Sequence, residues 1–282
     1  MNFDRIENLD GAVIHHGPSN NRIYLLNCPE NKLSGIHEPL LSLAEKNGYG
    51  KIILKIPAKH FPFFGSEGYT EEAHIPGFYD GTGDCVFAAY YLDPARQLLE
   101  NDFEIQSILE QAKQRPSGRS IVKPCPSNCI VEELNSEDAN NVARLYRDVF
   151  ATYPFPIHDP DYILSTMNSH VIYFGVKQAH TLIAVSSIEA DPSKRNGEMT
   201  DFATLPGARG KGLAGLLLRT MHEKFEALGY LTAYTIARAV SPGMNYTFSS
   251  AGYTYGGTLI NNTQISGQLE SMNIWYKHFD CQ

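Results

Sequence analysis

Between residues 129 and 282 the apolar and polar positions fall into alternating strand and helix periods. Cys129-Ile-Val-Glu-Glu-Leu134 reads as a strand. Asn135-Ser-Glu-Asp138 then caps a helix with the apolar stripe Val142, Leu145, Tyr146 and Val149. Tyr153-Pro-Phe-Pro156 is a rigid break, and residues 159–168 resume as a short helix. Strands are expected at 170–176, 182–189 and 198–205, with a turn at Asp191-Pro-Ser-Lys-Arg-Asn-Gly197. A glycine-rich turn follows, then a helix to Leu228 that Gly229 ends. A strand at 230–237, a helix around 245–250 and two terminal strands complete the order.

Upstream, residues 93–114 read as one helix on the stripe Ile105, Ile108, Leu109 and Ala112. Three prolines and a glycine between residues 116 and 126 mark a linker. The expected organisation is an N-terminal α/β domain over residues 1–115, a linker at 116–128, and a C-terminal domain at 129–282. The first half also repeats part of the second. Gly48-Tyr49 precedes Lys51-Ile-Ile-Leu-Lys-Ile56 as Gly229-Tyr230 precedes its own strand. Phe64-x3-Gly68-Tyr69 echoes Phe248-x3-Gly252-Tyr253, and Cys28-Pro29 parallels Leu205-Pro206. The first copy is shorter and lacks a glycine-rich turn, so it is expected to be a degenerate half repeat that holds no phosphate.

Composition narrows the class. The chain has 282 residues, 43% of them hydrophobic, enough for one large or two ordinary cores. A net charge of -8 argues against nucleic acid or an anionic membrane as partner. No run approaches 18 apolar residues, so no membrane span is expected. The five cysteines show no zinc spacing and read as free thiols in a reducing cytoplasm. Neither H-E-x-x-H nor a nucleophile elbow occurs, so no metal is expected.

The chemistry concentrates in Thr200-Asp-Phe-Ala-Thr-Leu-Pro-Gly-Ala-Arg-Gly-Lys-Gly-Leu-Ala-Gly-Leu-Leu-Leu218. Strand, glycine turn and helix start together make an anion site. The first helical N–H groups lack internal partners and the helix dipole adds partial positive charge. Leu213 after Gly212 excludes a P-loop. Gly210-Lys-Gly-Leu-Ala-Gly215 nearly meets the dinucleotide fingerprint but lies late in the chain, with no βαβ series after it.

Arg209-x-x-Gly212-x-Ala214 resembles the pyrophosphate loop of the GNAT superfamily of acetyl-CoA-dependent N-acetyltransferases, and the element order matches that family over residues 129–278. The resemblance implies a mixed, mostly antiparallel sheet, preceded here by a smaller GNAT-like half. It implies acetyl-CoA as cosubstrate and direct transfer to an amine in a ternary complex. It places pyrophosphate on Arg209, Gly210, Lys211, Gly212, Leu213 and Ala214, and the pantetheine arm along residues 202–205, including Ala203 and Leu205. A bulge near Ala203 would open the slot where thioester and amine meet. Asn245 matches a family asparagine that contacts CoA or caps the following helix.

A protonated alkylamine has no lone pair, and only about 1 in 2,500 is neutral at pH 7. Asp201, eight residues before Arg209, is the first candidate base, and it would equally serve to bind the ammonium; Glu198 is second. The family's usual acid position is Phe248, which has no proton to give. Tyr246, Tyr253 or Tyr255 takes that role, or water protonates the thiolate. Tyr153 and Phe155 suit an aromatic wall around an aliphatic ammonium.

The whole chain further resembles the β-lysine N-acetyltransferases. The resemblance rests on Ile75-Pro-Gly-Phe-Tyr-Asp-Gly81, Tyr153-Pro-Phe-Pro-Ile157, Glu198-Met-Thr-Asp-Phe-Ala-Thr204 and Gly243-Met-Asn-Tyr246. It implies acetylation of the terminal amine of β-lysine to N-epsilon-acetyl-β-lysine, a compatible solute, and functional pairing with lysine 2,3-aminomutase. Arg238 and Arg144 are candidate partners for the substrate carboxylate. Open alternatives are a GNAT enzyme for lysine, ornithine or a polyamine, and a non-catalytic acyl-CoA sensor. The first half would cover the active site or form a homodimer interface.

Overall fold

The computed structural model describes residues 4–116, 128–265 and 267–280. In the first half the elements are β1 (Arg5–Leu9), β2 (Ala12–Gly17), β3 (Arg22–Asn27), α1 (His37–Asn47), β4 (Lys51–Pro57), α2 (Phe61–Ser66), β5 (Thr70–Tyr79), β6 (Gly83–Tyr91) and α3 (Asp102–Lys113). The second half begins with β7 (Cys129–Glu133), α4 (Ala139–Val149), α5 (Pro160–Met167), β8 (Val171–Gln178), β9 (Thr181–Asp191) and β10 (Asn196–Thr204). It ends with α6 (Leu213–Ala227), β11 (Thr232–Arg238), α7 (Pro242–Ser250), β12 (Thr254–Ile265) and β13 (Gln268–His278).

All thirteen strands form one sheet, in the order β1-β2-β3-β4-β6-β5-β12-β13-β11-β10-β9-β8-β7. The two halves share a connectivity. In each, two parallel strands (β3 with β4, β10 with β11) are followed by an antiparallel pair. The corners match as well. Gly48 and Gly229 both take positive φ, at 68° and 73°. Phe64 packs on Tyr69 at 5.4 Å, and Phe248 on Tyr253 at 5.0 Å.

The halves meet where β5 pairs with β12, Ala73 opposite Gly257. Only glycine fits there. A Cβ on Gly257 would lie 2.2 Å from the Glu72 carbonyl oxygen, and φ is +142°. A buried polar latch backs the junction. Lys51 Nζ donates to both Glu72 carboxylate oxygens at 2.7 and 3.0 Å and to the Ile260 carbonyl at 2.7 Å. Glu72 Oε1 also accepts from the Ile260 N–H at 3.1 Å. A shared apolar cluster, with Tyr24, Ile53, Phe78 and Phe87 from one half and Tyr234, Leu259 and Ile274 from the other, completes the seam.

Alternation puts Phe174 and Tyr173 on opposite faces of β8. Phe174 joins Leu217, Phe225, Phe248 and Trp275 under α6 and α7. Tyr173 joins Val142, Tyr146 and Ile163 under α4 and α5.

Two expectations shift. Residues 93–114 are not one helix. Asp93 caps a 3-10 turn at Pro94–Gln97, the chain extends at Leu98, and α3 starts only at Asp102. Moreover, α3 lies on the N-terminal side of the expected boundary yet buries Ile105, Leu109 and Ala112 in the C-terminal core against α7. The expected linker falls almost wholly on residues 117–127, outside the described residues.

Candidate active site

The site starts from a bulge. Thr200 pairs with Ser187 and Ala203 with Val185, so β10 carries one extra residue between them. Strict alternation would turn Asp201 to the side of buried Met199. Instead Asp201 takes φ +56° and joins Glu198, Thr200 and Phe202 on the wall of a cleft of about 700 Å³. The bulge expected near Ala203 therefore lies at 200–203.

Two hydroxyls fix the Asp201 carboxylate. Tyr153 donates to Oδ1 at 2.5 Å and Ser187 to Oδ2 at 2.7 Å. Burial nonetheless raises Asp201 above the ordinary carboxylate range, although those two bonds oppose it. Glu198 is pushed up to about 8, first by burial and then by the negative charge of Glu189 across the β9–β10 pair. Glu189 faces the cleft with about half its side chain exposed (55%) and lies 3.7 Å from His170. Three carboxylates thus share one wall, an arrangement that attracts ammonium groups.

The opposite end of the cleft is the start of α6. Gly212 is the N-cap at φ +80°, and no side chain caps this end. Gly212, Leu213, Ala214 and Gly215 line the cleft, with Arg209 beside them. A Cβ added at Gly210 would meet no atom within 4 Å, so the backbone there faces open space. That geometry fits a pyrophosphate on the 212–215 backbone. Ala203 is buried in the core under α4 and α5 with Leu205 packed against that core, and neither lines the cleft. Gly210 and Lys211 are exposed on the same turn without lining the cleft.

Other sequence candidates are placed elsewhere. Asn245 is fully buried and its side chain is spent on protein. Its Nδ2 donates to the carbonyls of Ser241 and Arg238 at 2.8 and 3.0 Å, and Oδ1 accepts from Asn273 and Trp275 at 2.9 Å each. It clamps the end of β11 to β13 and has no group left for CoA. Tyr246 points away from the cleft. Its hydroxyl donates to Gln111 on α3 at 2.7 Å, and the Arg115 guanidinium lies 4.1 Å above its ring. Tyr253 bonds His222 at 2.9 Å and Tyr255 bonds Thr258 at 2.6 Å, and neither lines the cleft. Phe248 does line it, packed edge-on against Phe202. Arg238 lines the cleft but is paired to Glu270 through two nitrogens, whereas Arg144 is exposed on α4 outside the cleft.

Sequence reasoning missed what the first half contributes. Arg22, Tyr24 and Leu26 alternate along β3 onto the cleft wall, joined by Lys55 from β4. Tyr153 and Phe155 close the cleft on that side, with Phe155 4.7 Å from the His15 ring. No motif at Arg22–Leu26 signals what that strand faces. Among the described residues, no group of three or more His, Cys, Asp or Glu side chains is arranged to hold a metal ion. No helix among them is long and apolar enough to cross a membrane.

A bulged strand leading into an uncapped, glycine-opened helix, with carboxylates along the same cleft, defines an acyl-CoA-dependent amine acetyltransferase. The model of the acetyltransferase (GNAT) family matches residues 140–244, and the chain belongs to that family. It is an acyltransferase that uses acetyl-CoA. The chain is 33% identical over 280 residues to the β-lysine N(6)-acetyltransferase of Methanococcus maripaludis, covering 98% of this chain and 99% of the relative. A β-lysine N(6)-acetyltransferase of Methanosarcina mazei is 33% identical, covering 84% of this chain and 94% of that one. The N-acetyltransferase YodP of Bacillus subtilis is 31% identical over 94% of this chain and 95% of its own length.

Proposed function

We propose that this protein transfers the acetyl group of acetyl-CoA to the N6 amine of β-lysine. The observation that carries the reading is likeness over nearly the whole chain to two enzymes of that name. The cleft is compatible with it: its carboxylates suit the ammonium of an acceptor amine.

In this reading pyrophosphate lies on the backbone of residues 209–214 and the thioester lies beside the 200–203 bulge. Asp201, held by Tyr153 and Ser187, binds the reacting ammonium. Glu198, raised nearer to the amine's own pKa, takes its proton. The freed lone pair attacks the thioester carbonyl, the C–S bond breaks, CoA leaves as thiolate, and the acylated nitrogen gives up its second proton to water. Tyr246, Tyr253 and Tyr255 lie off the cleft and Phe248 carries no proton, so water protonates the thiolate. Tyr153 and Phe155 wall the acceptor.

The first half is a GNAT-like half without a pyrophosphate loop, so one chain takes one acetyl-CoA. Lysine 2,3-aminomutase would supply the substrate. The product keeps one positive and one negative charge, which suits a neutral cytoplasmic solute.

The test is turnover of acetyl-CoA with β-lysine, lysine, ornithine and spermidine, with the product located by NMR. No reaction with β-lysine while lysine or spermidine reacts removes this acceptor. Acetyl-CoA binding without turnover on any amine favours a sensor.

A further inference from the structure

The first half of the chain brings to the cleft a buried cation that has no ion-pair partner among the described residues. Arg22 is 4% exposed, yet among the described residues no carboxylate pairs with it. Its Nη1 is used on protein, donating to the Asn262 carbonyl and to Thr263 Oγ1, the latter at 3.2 Å. Its Nε has no partner among the described residues. Burial lowers the guanidinium only to about 10, so it stays charged at neutral pH. Beside it, Asn262 is 1% exposed, and its Oδ1 acceptor is likewise without a partner. Both residues line the cleft. A buried charge and a buried amide oxygen left unpaired are costly, and such groups persist where a ligand completes them.

Donor and acceptor side by side match a carboxylate with a neighbouring ammonium. The ligand must also reach the carboxylates at the bulge, where acetyl transfer takes place. A flexible chain with an amino-acid head at one end and a primary amine at the other spans the two. We propose that Arg22 and Asn262 form the head-group subsite of the acceptor, with Arg22 Nε binding its carboxylate and Asn262 Oδ1 its non-reacting ammonium. This deepens the proposed function and rests on it for the identity of the acceptor, though not for its class. The first half of the chain thereby sets selectivity: diamino acids are taken and carboxylate-free polyamines are refused.

The test compares analogues on the full-length enzyme. 1,4-Diaminopentane is β-lysine without its carboxylate, and 6-aminohexanoate is β-lysine without its β-amine. Wild-type kcat/KM for β-lysine is expected to exceed that for either by about 100-fold, the scale of a lost charge-assisted hydrogen bond in a buried site. Arg22→Gln should reduce the advantage over 1,4-diaminopentane to within threefold, with Arg22→Lys intermediate. Asn262→Leu should do the same for 6-aminohexanoate. A wild type that treats β-lysine and 1,4-diaminopentane alike overturns the proposal, and this measurement needs no variant to fold. Arg22→Gln lowering both substrates equally also overturns it, since that marks an architectural role. If α-lysine reacts and β-lysine does not, the same ratios are read against 1,5-diaminopentane; the acceptor's identity then fails while the subsite stands. Turnover of polyamines alone removes both.

Discussion

Replacing Glu198 by Gln should make the protein more stable at alkaline pH and slower at every pH. In the unfolded chain this carboxyl ionises near 4.3; folded, burial and Glu189 hold it protonated up to about 8. Between those values the folded state binds the proton that the unfolded state has lost. Stability therefore falls as pH rises through this window, by up to about 1.4 kcal/mol per pH unit, and the full penalty applies above pH 8. The cleft is open to water and Glu189 shares the charge, so the usable effect is smaller. Gln keeps the shape and removes the titration. The expected gain at pH 8.5 is about 1–2 kcal/mol, a rise in Tm of roughly 3–6 °C, with no gain at pH 4.5. The same substitution removes the proton acceptor, and kcat/KM should fall at least about 100-fold. The wild-type pH–rate profile should rise to an inflection near 8 that the variant lacks. Differential scanning fluorimetry at the two pH values and initial rates between pH 6 and 9.5 measure both. Equal melting shifts at pH 4.5 and 8.5, together with an unchanged inflection, would refute the assignment.

Tyr246→Phe loses only a bond to exposed Gln111, so kcat/KM should stay within twofold; a tenfold loss of kcat would restore that tyrosine as the acid. Gly257→Val places branched carbon against the Glu72 carbonyl, 2.2 Å from an ideal Cβ, and should cost more than about 3 kcal/mol in chemical denaturation, or leave the protein insoluble. Gly212→Ala is strained by φ +80° at the α6 N-cap, so it should cost about 1 kcal/mol of stability while weakening CoA binding at least tenfold by calorimetry.

The C-terminal half was legible because its signals are local. Asn135 and Asp138 do form a capping box, Gly229 does end α6, and the Arg209–Ala214 turn does open a helix. Asp201 was legible by its distance from that turn. Residues 93–101 misled because the stripe beginning at Ile105 says nothing about the preceding segment, where Asp93-Pro94 starts a separate turn. Asn245 and Tyr246 misled because a motif position does not state which way a side chain points. Arg22 was invisible for a different reason. It enters the cleft from β3, 240 positions before the Asn262 carbonyl it holds, and only the fold brings them together.

The shared connectivity gives β3 and β10 equivalent places. Arg22 and Tyr24 pair with residues three and five past Gly48; Asn196 and Glu198 pair with residues three and five past Gly229. Tyr24 and Glu198 are thus counterparts, and both line the cleft. The sheet order runs β3-β4-β6-β5 inward from one side and β10-β11-β13-β12 from the other, and the cavity takes residues from the equivalent strand of each. Were the two strands alike, a molecule with two amines could enter either way round. Because one strand carries the cation and the other the acids, the pocket has a direction. Under the proposed function, divergence between the two halves, rather than any single catalytic group, would decide which amine of the acceptor meets the thioester.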